Sequence, residues 1–289
     1  MKKVTAVVLN YKVRDLTVKC VESLKQSTLV LEIIVVDNNS GDGVEEEIKK
    51  LGVEFIQTGA NLGYTGGNNI GIKKALKNGS DLILILNPDT VVDKNCLKNL
   101  IKGMEETGAG IVGPKIYFRD KSSRSARGAR KTIWYAGGKF DRLNVIGQHR
   151  GVDEKDSGQY DQITETDFVT GAAILVDKKV FDQVGFFDEK YFLYYEDLDF
   201  CERAKKAGIK VAYISTAVVY HENAKSTGLG SPLQDYYITR NRMLFAKKFL
   251  PFRTQFALFR EALKNLGNPV RRLALWDFIT RNFGKGSLN

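Results

Sequence analysis

Amides and carboxylates stand at the ends of the apolar runs of this chain, and any chemistry is to be sought there. Residues 82–90 read LILILNPDT, an aliphatic run that stops on Asn87, Pro88 and Asp89. Asp89 sits where a carboxylate can hold a divalent cation against a diphosphate, because hard cations take oxygen ligands and let phosphates and water complete the shell. Asn87 can hydrogen-bond a ribose hydroxyl, and Pro88 fixes φ and so sets the relation between its neighbours. The alternative is a strand-terminating turn, with Asp89 capping the next segment.

Other groups repeat the pattern. Asp37 closes LEIIVVD and can accept from a pyrimidine N–H or a ribose hydroxyl; an Asx-type turn into Gly41-Asp42-Gly43 is the alternative. NLGYTGGNNIG (61–71) precedes a helical pattern over 67–78, so its backbone N–H groups can face phosphate. It has neither the GKS/GKT ending nor the GxGxxG spacing of the phosphate-loop motifs. Glu196-Asp197-Leu198-Asp199 opens a helix running to about residue 207, among aromatics where carboxylates are costly unless paired or used. Asp199 pairs with Arg203 four residues on, which leaves Asp197 as the better candidate for a general base. Acidic residues also favour helix N-termini for dipole reasons alone. His221 ends the strand-like run AYISTAVVYH, either as a structural residue or as a sequence-distant metal ligand beside Asp89.

These residues need a scaffold. Strand patterns at 3–9, 31–37, 53–58, 81–86 and 109–116 alternate with helical patterns at 14–25, 44–51, 67–78 and 93–107. Strands apolar on both faces, alternating with helices, predict a parallel sheet covered by helices. Ligands of such sheets sit beyond the strands' carboxyl ends, where four strand ends here are polar. Residues 117–163 read as irregular and partly mobile, and the strand pattern resumes at FVTGAAILVD (168–177).

The chain has 289 residues and a net charge of +10. Residues 1–114 are balanced, 115–150 carry 10 basic and 2 acidic side chains, 151–232 carry 9 and 15, and 233–289 carry 11 and 3. Basic segments of this kind suit phosphates, anionic lipid or nucleic acid. The three scattered cysteines point to a reducing compartment. The N-terminal apolar run is too short for a secretion signal and reads as a first strand. In the tail, Phe252, Phe256, Phe259, Leu263 and Leu266 form one helical stripe, with Arg253, Arg260 and Lys264 off it. That pattern suits either an anionic membrane surface or packing against the body or a second subunit, as in a homodimer.

In order, VVLNYK, VVDNNSGDG, NLGYTGGNNIGI, LNPDT, TGAAILVDKKVF, GFFDEKYFLYYEDLDFCERAKKAG and VVYHENAKS resemble family 2 glycosyltransferases of the bacterial rhamnosyltransferase-like branch, over about residues 3–245. The resemblance implies an α/β GT-A-type fold, Rossmann-like with a mostly parallel sheet, and inverting transfer from a nucleotide-diphosphosugar with Mg2+ or Mn2+. It implies a catalytic domain over 1–232, with a nucleotide-binding half (1–116) and an acceptor-side half (117–232), followed by a basic helical extension over 233–289. Carried across, Glu196-Asp197 is the catalytic pair, with Asp197 as base, and Asp89 and His221 are the metal ligands. Leu9, Asn10, Tyr11, Asp37, Asn39, Asn61, Gly63, Asn68, Asn87 and Pro88 line the nucleotide. Thr170, Gly171 and Ala172 border the acceptor, Gly171 allowing close approach of the sugar. Asn87 departs from the aspartate many relatives carry, which leaves one acid fewer beside the cation.

The donor implied is dTDP-, UDP- or GDP-linked, and the acceptor a hydroxyl of a glycan or lipid-linked sugar in cell-surface polysaccharide synthesis. The expected setting is cytoplasmic, with peripheral contact at the inner face of the membrane. A sugar-1-phosphate nucleotidyltransferase is the nearest competing enzyme, but it calls for a Gly-rich basic loop after the first strand, where Asn10-Tyr11-Lys12-Val13 stands. A nucleic-acid-binding protein fits the basic pI, yet no recognition motif appears and the basic residues avoid the polar strand ends.

Overall fold

The computed structural model describes residues 2–119, 131–222 and 230–288. The first half runs β1 (Val4–Asn10), α1 (Arg14–Lys25), β2 (Glu32–Asp37), α2 (Val44–Lys50), β3 (Glu54–Gln57), α3 (Gly63–Lys77), β4 (Leu82–Leu86), β5 (Thr90–Val92), α4 (Cys96–Thr107) and β6 (Ile111–Phe118). Three short strands follow, β7 (Ile133–Tyr135), β8 (Gly138–Asp141) and β9 (Ile146–His149), then β10 (Thr164–Glu165) and β11 (Ala173–Asp177). The chain ends with α5 (Lys178–Val184), α6 (Glu196–Lys206), β12 (Val211–His221), α7 (Pro232–Phe249), α8 (Phe252–Lys264) and α9 (Pro269–Ile279).

The main sheet has the order β10-β12-β6-β11-β4-β1-β2-β3, with β5 added to β12 and β7 to β6. β1 to β4 are mutually parallel, as are β6 and β12. β11 runs antiparallel to both neighbours, β4 and β6. Its beginning therefore meets the carboxyl end of β4, and Ala173 pairs with Leu86. Successive side chains of β1 point to opposite faces. Val4, Ala6 and Val8 join a core with Cys20 and Leu24 of α1 and Ile48 of α2, while Val7 and Leu9 join a second core with Ile72 of α3 and Phe200 of α6. Burial on both faces explains the uninterrupted apolar runs.

The structure corrects three expectations. α3 begins at Gly63, four residues earlier than its pattern suggests. Its glycines serve packing: a Cβ on Gly67 would lie 2.4 Å from a Leu9 methyl, and one on Gly71 2.4 Å from a Val7 methyl. Only a bare backbone lets this helix lie so close to β1. The stretch expected to be irregular, 117–163, instead carries β7 and the β8–β9 hairpin. Its expected mobility falls largely on residues 120–130, which lie outside the described residues. The third correction concerns the tail. α7 is built into the body, with Leu244, Phe245 and Ala246 buried in the second core. Among the described residues, no helix is long and apolar enough to cross a membrane.

Candidate active site

β1 and β2 pair so that Asn10 lies opposite Asp37. The Asn10 side-chain amide donates to Asp37 Oδ1 at 2.7 Å, and its own oxygen accepts from Thr17. Asp37 also accepts from the Ser40 hydroxyl, the Ser40 N–H at 2.9 Å and the Gln57 amide at 2.9 Å. Burial pushes this carboxyl up, but the bonds from Ser40, Asn10 and Gln57 outweigh it and hold the pKa below the usual range. Asp37 is thus a fixed anion at the strand end. Asn10 is fully buried and committed to protein partners, so it orients Asp37 and does not itself line an opening. Leu9 is buried in the core, while Tyr11 is exposed at the rim. Asn39 is also exposed, with its N–H on Gln57.

Asn61 caps the turn into α3 by accepting from the Gly63 N–H at 2.9 Å. Gly63 is needed against the loop ahead of α6, since a Cβ there would lie 2.4 Å from the Phe192 carbonyl oxygen. Asn68 lies inside α3, wholly buried, and donates to the Tyr64 carbonyl.

β12 and β5 pair in a register that sets His221 opposite Thr90, next to Asp89. His221 Nε2 lies 3.4 Å from Asp89 Oδ1, and both groups are buried. Among the described residues neither ring nitrogen of His221 has a hydrogen-bond partner. A buried imidazole calls for one, and with the Asp89 carboxylate beside Nε2 the donor set fits a divalent cation. The indole of Trp134 stacks on the imidazole at 4.5 Å and 16°, and His149 meets the same indole edge-on at 4.4 Å. Burial lowers the His149 pKa to about 4, so it remains neutral there. Among the described residues no cluster of three or more His, Cys, Asp or Glu could hold a metal by itself.

Glu196 and Asp197 open α6. Asp197 Oδ2 accepts from the Gly171 N–H at 3.0 Å and Oδ1 from its neighbour Leu198 at 2.8 Å. Gly171 stands just before β11, and the next residue, Ala172, accepts from the Asn87 N–H at 3.0 Å. Asp197, Gly171, Ala172 and Asn87 therefore link α6 to the Asn87-Pro88-Asp89 turn through two backbone contacts. Asn87 and Pro88 are half-buried. Thr170 is buried, its hydroxyl 3.4 Å from the Ala172 N–H. The close approach at Gly171 belongs to Tyr64, whose hydroxyl donates to the Gly171 carbonyl at 2.7 Å; a Cβ there would lie 2.6 Å from that oxygen. The glycine thus admits the Tyr64 ring.

The two acids differ. Burial, then the adjacent Asp197, pushes Glu196 well above the ordinary carboxyl range, and among the described residues its Oε2 has no hydrogen-bond partner. Burial also raises Asp197, but the Gly171 and Leu198 N–H groups oppose the rise. Glu196 therefore takes the proton first and Asp197 is the readier anion. Asp199, as expected, pairs with Arg203 at 2.6 Å and with Lys248.

The loop ahead of α6 holds Phe192, Tyr194 and Tyr195 at positive φ, a costly conformation for residues with side chains. Helix α7 holds it from behind. The Asn241 side-chain amide donates to the carbonyls of Tyr191, Leu193 and Tyr194 at 2.9, 2.8 and 2.9 Å. The Arg240 guanidinium, fully buried, reaches the Lys190 and Tyr191 carbonyls. Sequence reasoning missed these two residues and Trp134. Asn241 and Arg240 sit in an ordinary helical pattern, and the one available signal was a polar pair inside that pattern.

The sequence model of "Glycosyl transferase family 2" matches residues 5–185. The chain is 28% identical over 221 residues to the low-salt glycan biosynthesis hexosyltransferase Agl10 of Haloferax volcanii, covering 74% of this chain and 67% of that protein. It is 28% identical over 255 residues to the dTDP-rhamnosyl transferase RfbF of Shigella flexneri, covering 84% and 79%. A crystal structure of GalNAc-T7 with UDP, GalNAc and Mn2+ superposes with a TM-score of 0.63 at 14% identity, over 84% of this chain and about half of that one (51%). The expected GT-A-type architecture holds, and neither a nucleotidyltransferase nor a nucleic-acid-binding protein is favoured. The chain belongs to glycosyl transferase family 2.

Proposed function

We propose that this protein moves a sugar from a nucleoside-diphosphosugar to a hydroxyl of a glycan or lipid-linked acceptor, with inversion at the anomeric carbon. The observation that carries the reading is the placement of Asp197 on Gly171, one residue from the contact that Ala172 makes with Asn87. It sets a carboxylate raised toward working pH beside the turn that bears Asp89. Asp37 would read the base or ribose, with Tyr11, Asn39 and Asn87 at the rim around it. Asp89 and His221 would hold a divalent cation, donor phosphates and water supplying its remaining ligands. An imidazole ligand suits Mn2+ better than Mg2+, which prefers an all-oxygen shell. When bound, the cation stabilises charge on the departing nucleoside diphosphate.

Asp197 would then take the proton from the acceptor hydroxyl as that oxygen attacks the anomeric carbon from the face opposite the leaving group. Glu196, neutral and buried beside it, would keep a second negative charge out of the same space. A deoxyhexose on dTDP is the donor favoured by similarity to the dTDP-rhamnosyl transferase, with UDP- and GDP-hexoses as alternatives. Setting the reaction at the inner face of a cell membrane follows from the lipid-linked acceptor. Incubating the protein with Mn2+ and each sugar nucleotide, and following thermal unfolding, tests the donor: the true one raises the midpoint by mass action. If no sugar nucleotide shifts it while nucleic acid does, the reading fails.

A further inference from the structure

The C-terminal helices leave a second surface unexplained by transfer chemistry. α8 buries Leu258 and Ala262 against the body and turns the stripe anticipated from its sequence outward. Phe252 is 75% exposed and Phe256 52%, with Leu263 and Leu266 also open, although Phe259 is half-buried. From α9, Trp276 is 62% exposed and Ile279 is exposed as well. Isolated exposed apolar residues need no explanation, but a helical stripe with spacing four, three, four and three does.

The charges on α8 are ordered about that stripe. Arg253, Arg260 and Lys264 each directly follow a stripe residue, Phe252, Phe259 or Leu263. At 3.6 residues per turn, one step is about 100°, so the three cations form a row along one flank. All three are exposed. The one acid of the helix, Glu261, is drawn away from the stripe by Arg242 of α7 at 2.8 Å. Beside the stripe a cavity of about 300 Å3 opens between the helices, lined by Met243, Phe252, Phe256, Phe259 and Phe278, with Lys247 among its lining residues.

We propose that α8, with Trp276 and Ile279 of α9, is a docking surface for an anionic phospholipid bilayer; its purpose rests on the lipid-linked acceptor proposed above. An apolar face bordered by a row of cations is the arrangement a helix needs to lie in the headgroup region, with its rings among the upper acyl carbons. The cavity gives one acyl chain an apolar seat beside the stripe. A second copy of the chain would also cover the rings, but the exposed cations flanking them on α8 are Arg253, Arg260 and Lys264, so two such faces bring like charges together. Anionic lipid complements that charge.

The full chain, without donor or metal, is sedimented with vesicles of phosphatidylcholine alone and with phosphatidylglycerol added. The anionic vesicles are expected to bind it about 10- to 100-fold more tightly, with the preference falling as salt rises. Arg253→Gln/Arg260→Gln/Lys264→Gln is expected to erase most of that preference, and Phe252→Ser/Phe256→Ser to weaken binding about 10-fold or more on both vesicles. The emission of Trp276, read as the difference from Trp276→Phe, is expected to shift to the blue only with vesicles. Failure of the wild type to bind anionic vesicles, or equal binding by both variants, overturns the proposal. So does a concentration-dependent dimer that Phe252→Ser/Phe256→Ser dissolves, which would make the occupant a second copy. Because no sugar nucleotide is present, these outcomes are independent of whether the transferase reading holds.

Discussion

Asn241 of α7 donates through its side-chain amide to the carbonyl oxygen of Tyr194 at 2.9 Å, and Tyr194 stands two residues ahead of Glu196. The same amide serves the Tyr191 and Leu193 carbonyls. A residue late in the chain thus fixes the loop that presents the paired acids. Asn241→Ala removes a donor from three carbonyls; that of Tyr191 keeps Arg240 and the Leu193 N–H, and those of Leu193 and Tyr194 each cost about 1–3 kcal/mol if left buried and unpaired. We expect the loop to relax, with kcat falling about 100-fold while nucleoside-diphosphate affinity, measured by calorimetry, stays within about threefold. Proportional loss of both would make Asn241 a general stability residue.

Asp197→Asn keeps the hydrogen bonds from Gly171 and Leu198 but cannot accept a proton. Transfer is expected to fall by about 10²–10⁴, the usual worth of a general base, with donor binding intact. In the proposed role Asp197 works as the anion, and its pKa is raised, so kcat/KM should climb with pH along a limb lying above the ordinary carboxylate value of about 3.9. Near-normal turnover in Asp197→Asn would remove it from the role.

Glu196 yields a separate result. Its pKa is raised in the folded protein, so the fold holds a proton that the unfolded chain releases above about pH 4.3. Stability therefore declines as pH rises through and beyond that value. Glu196→Gln removes this loss and should melt above the wild type at pH 7, the difference shrinking below pH 4. The Asp197 limb should keep its position, since a neutral Glu196 exerts no charge on it. A limb displaced by a full unit would mean that Glu196 is ionised at working pH.

Trp134 stacks on the face of His221 and Asp89 lies near its Nε2, so both test the proposed cation. Asp89→Ala should abolish the Mn2+-dependent part of nucleoside-diphosphate binding, read by titration calorimetry with and without metal. Trp134→Ala removes the stacked ring and frees the imidazole to rotate, so Mn2+ affinity is expected to drop about 10- to 100-fold. Trp134→Phe should recover most of it. Unchanged Mn2+ affinity in Asp89→Ala would return the Asn87-Pro88-Asp89 segment to a plain turn.

Sequence periodicity located β1, β2 and β4 because their two faces are buried and the apolar runs are unbroken. The polar strand ends followed, and the pairing of Asp89 with His221 was legible as an alternative. Other features left no local trace. The direction of β11 depends on its neighbours β4 and β6 and not on its own residues. The start of α3 was hidden because glycine and asparagine imitate a loop, whereas here the glycines let a helix press against Val7 and Leu9. Trp134 lies in a segment without strong periodicity, and its meaning depends on a ring 87 positions away. Arg240 is fully buried, the reverse of what its chemistry suggests, because the carbonyls that satisfy it come from another part of the chain.

The reversed strand β11 separates two kinds of change. Between β6 and β11 the chain adds β7 to β6 and β10 to β12, and it returns as β11 between β4 and β6, where ladder bonds and buried side chains hold it. A change at an exposed position of the intervening segment, such as Leu143, leaves Gly171 beside Asn87 and in contact with Asp197. Such surface positions can drift without the Asp197 carboxylate ever losing its anchorage.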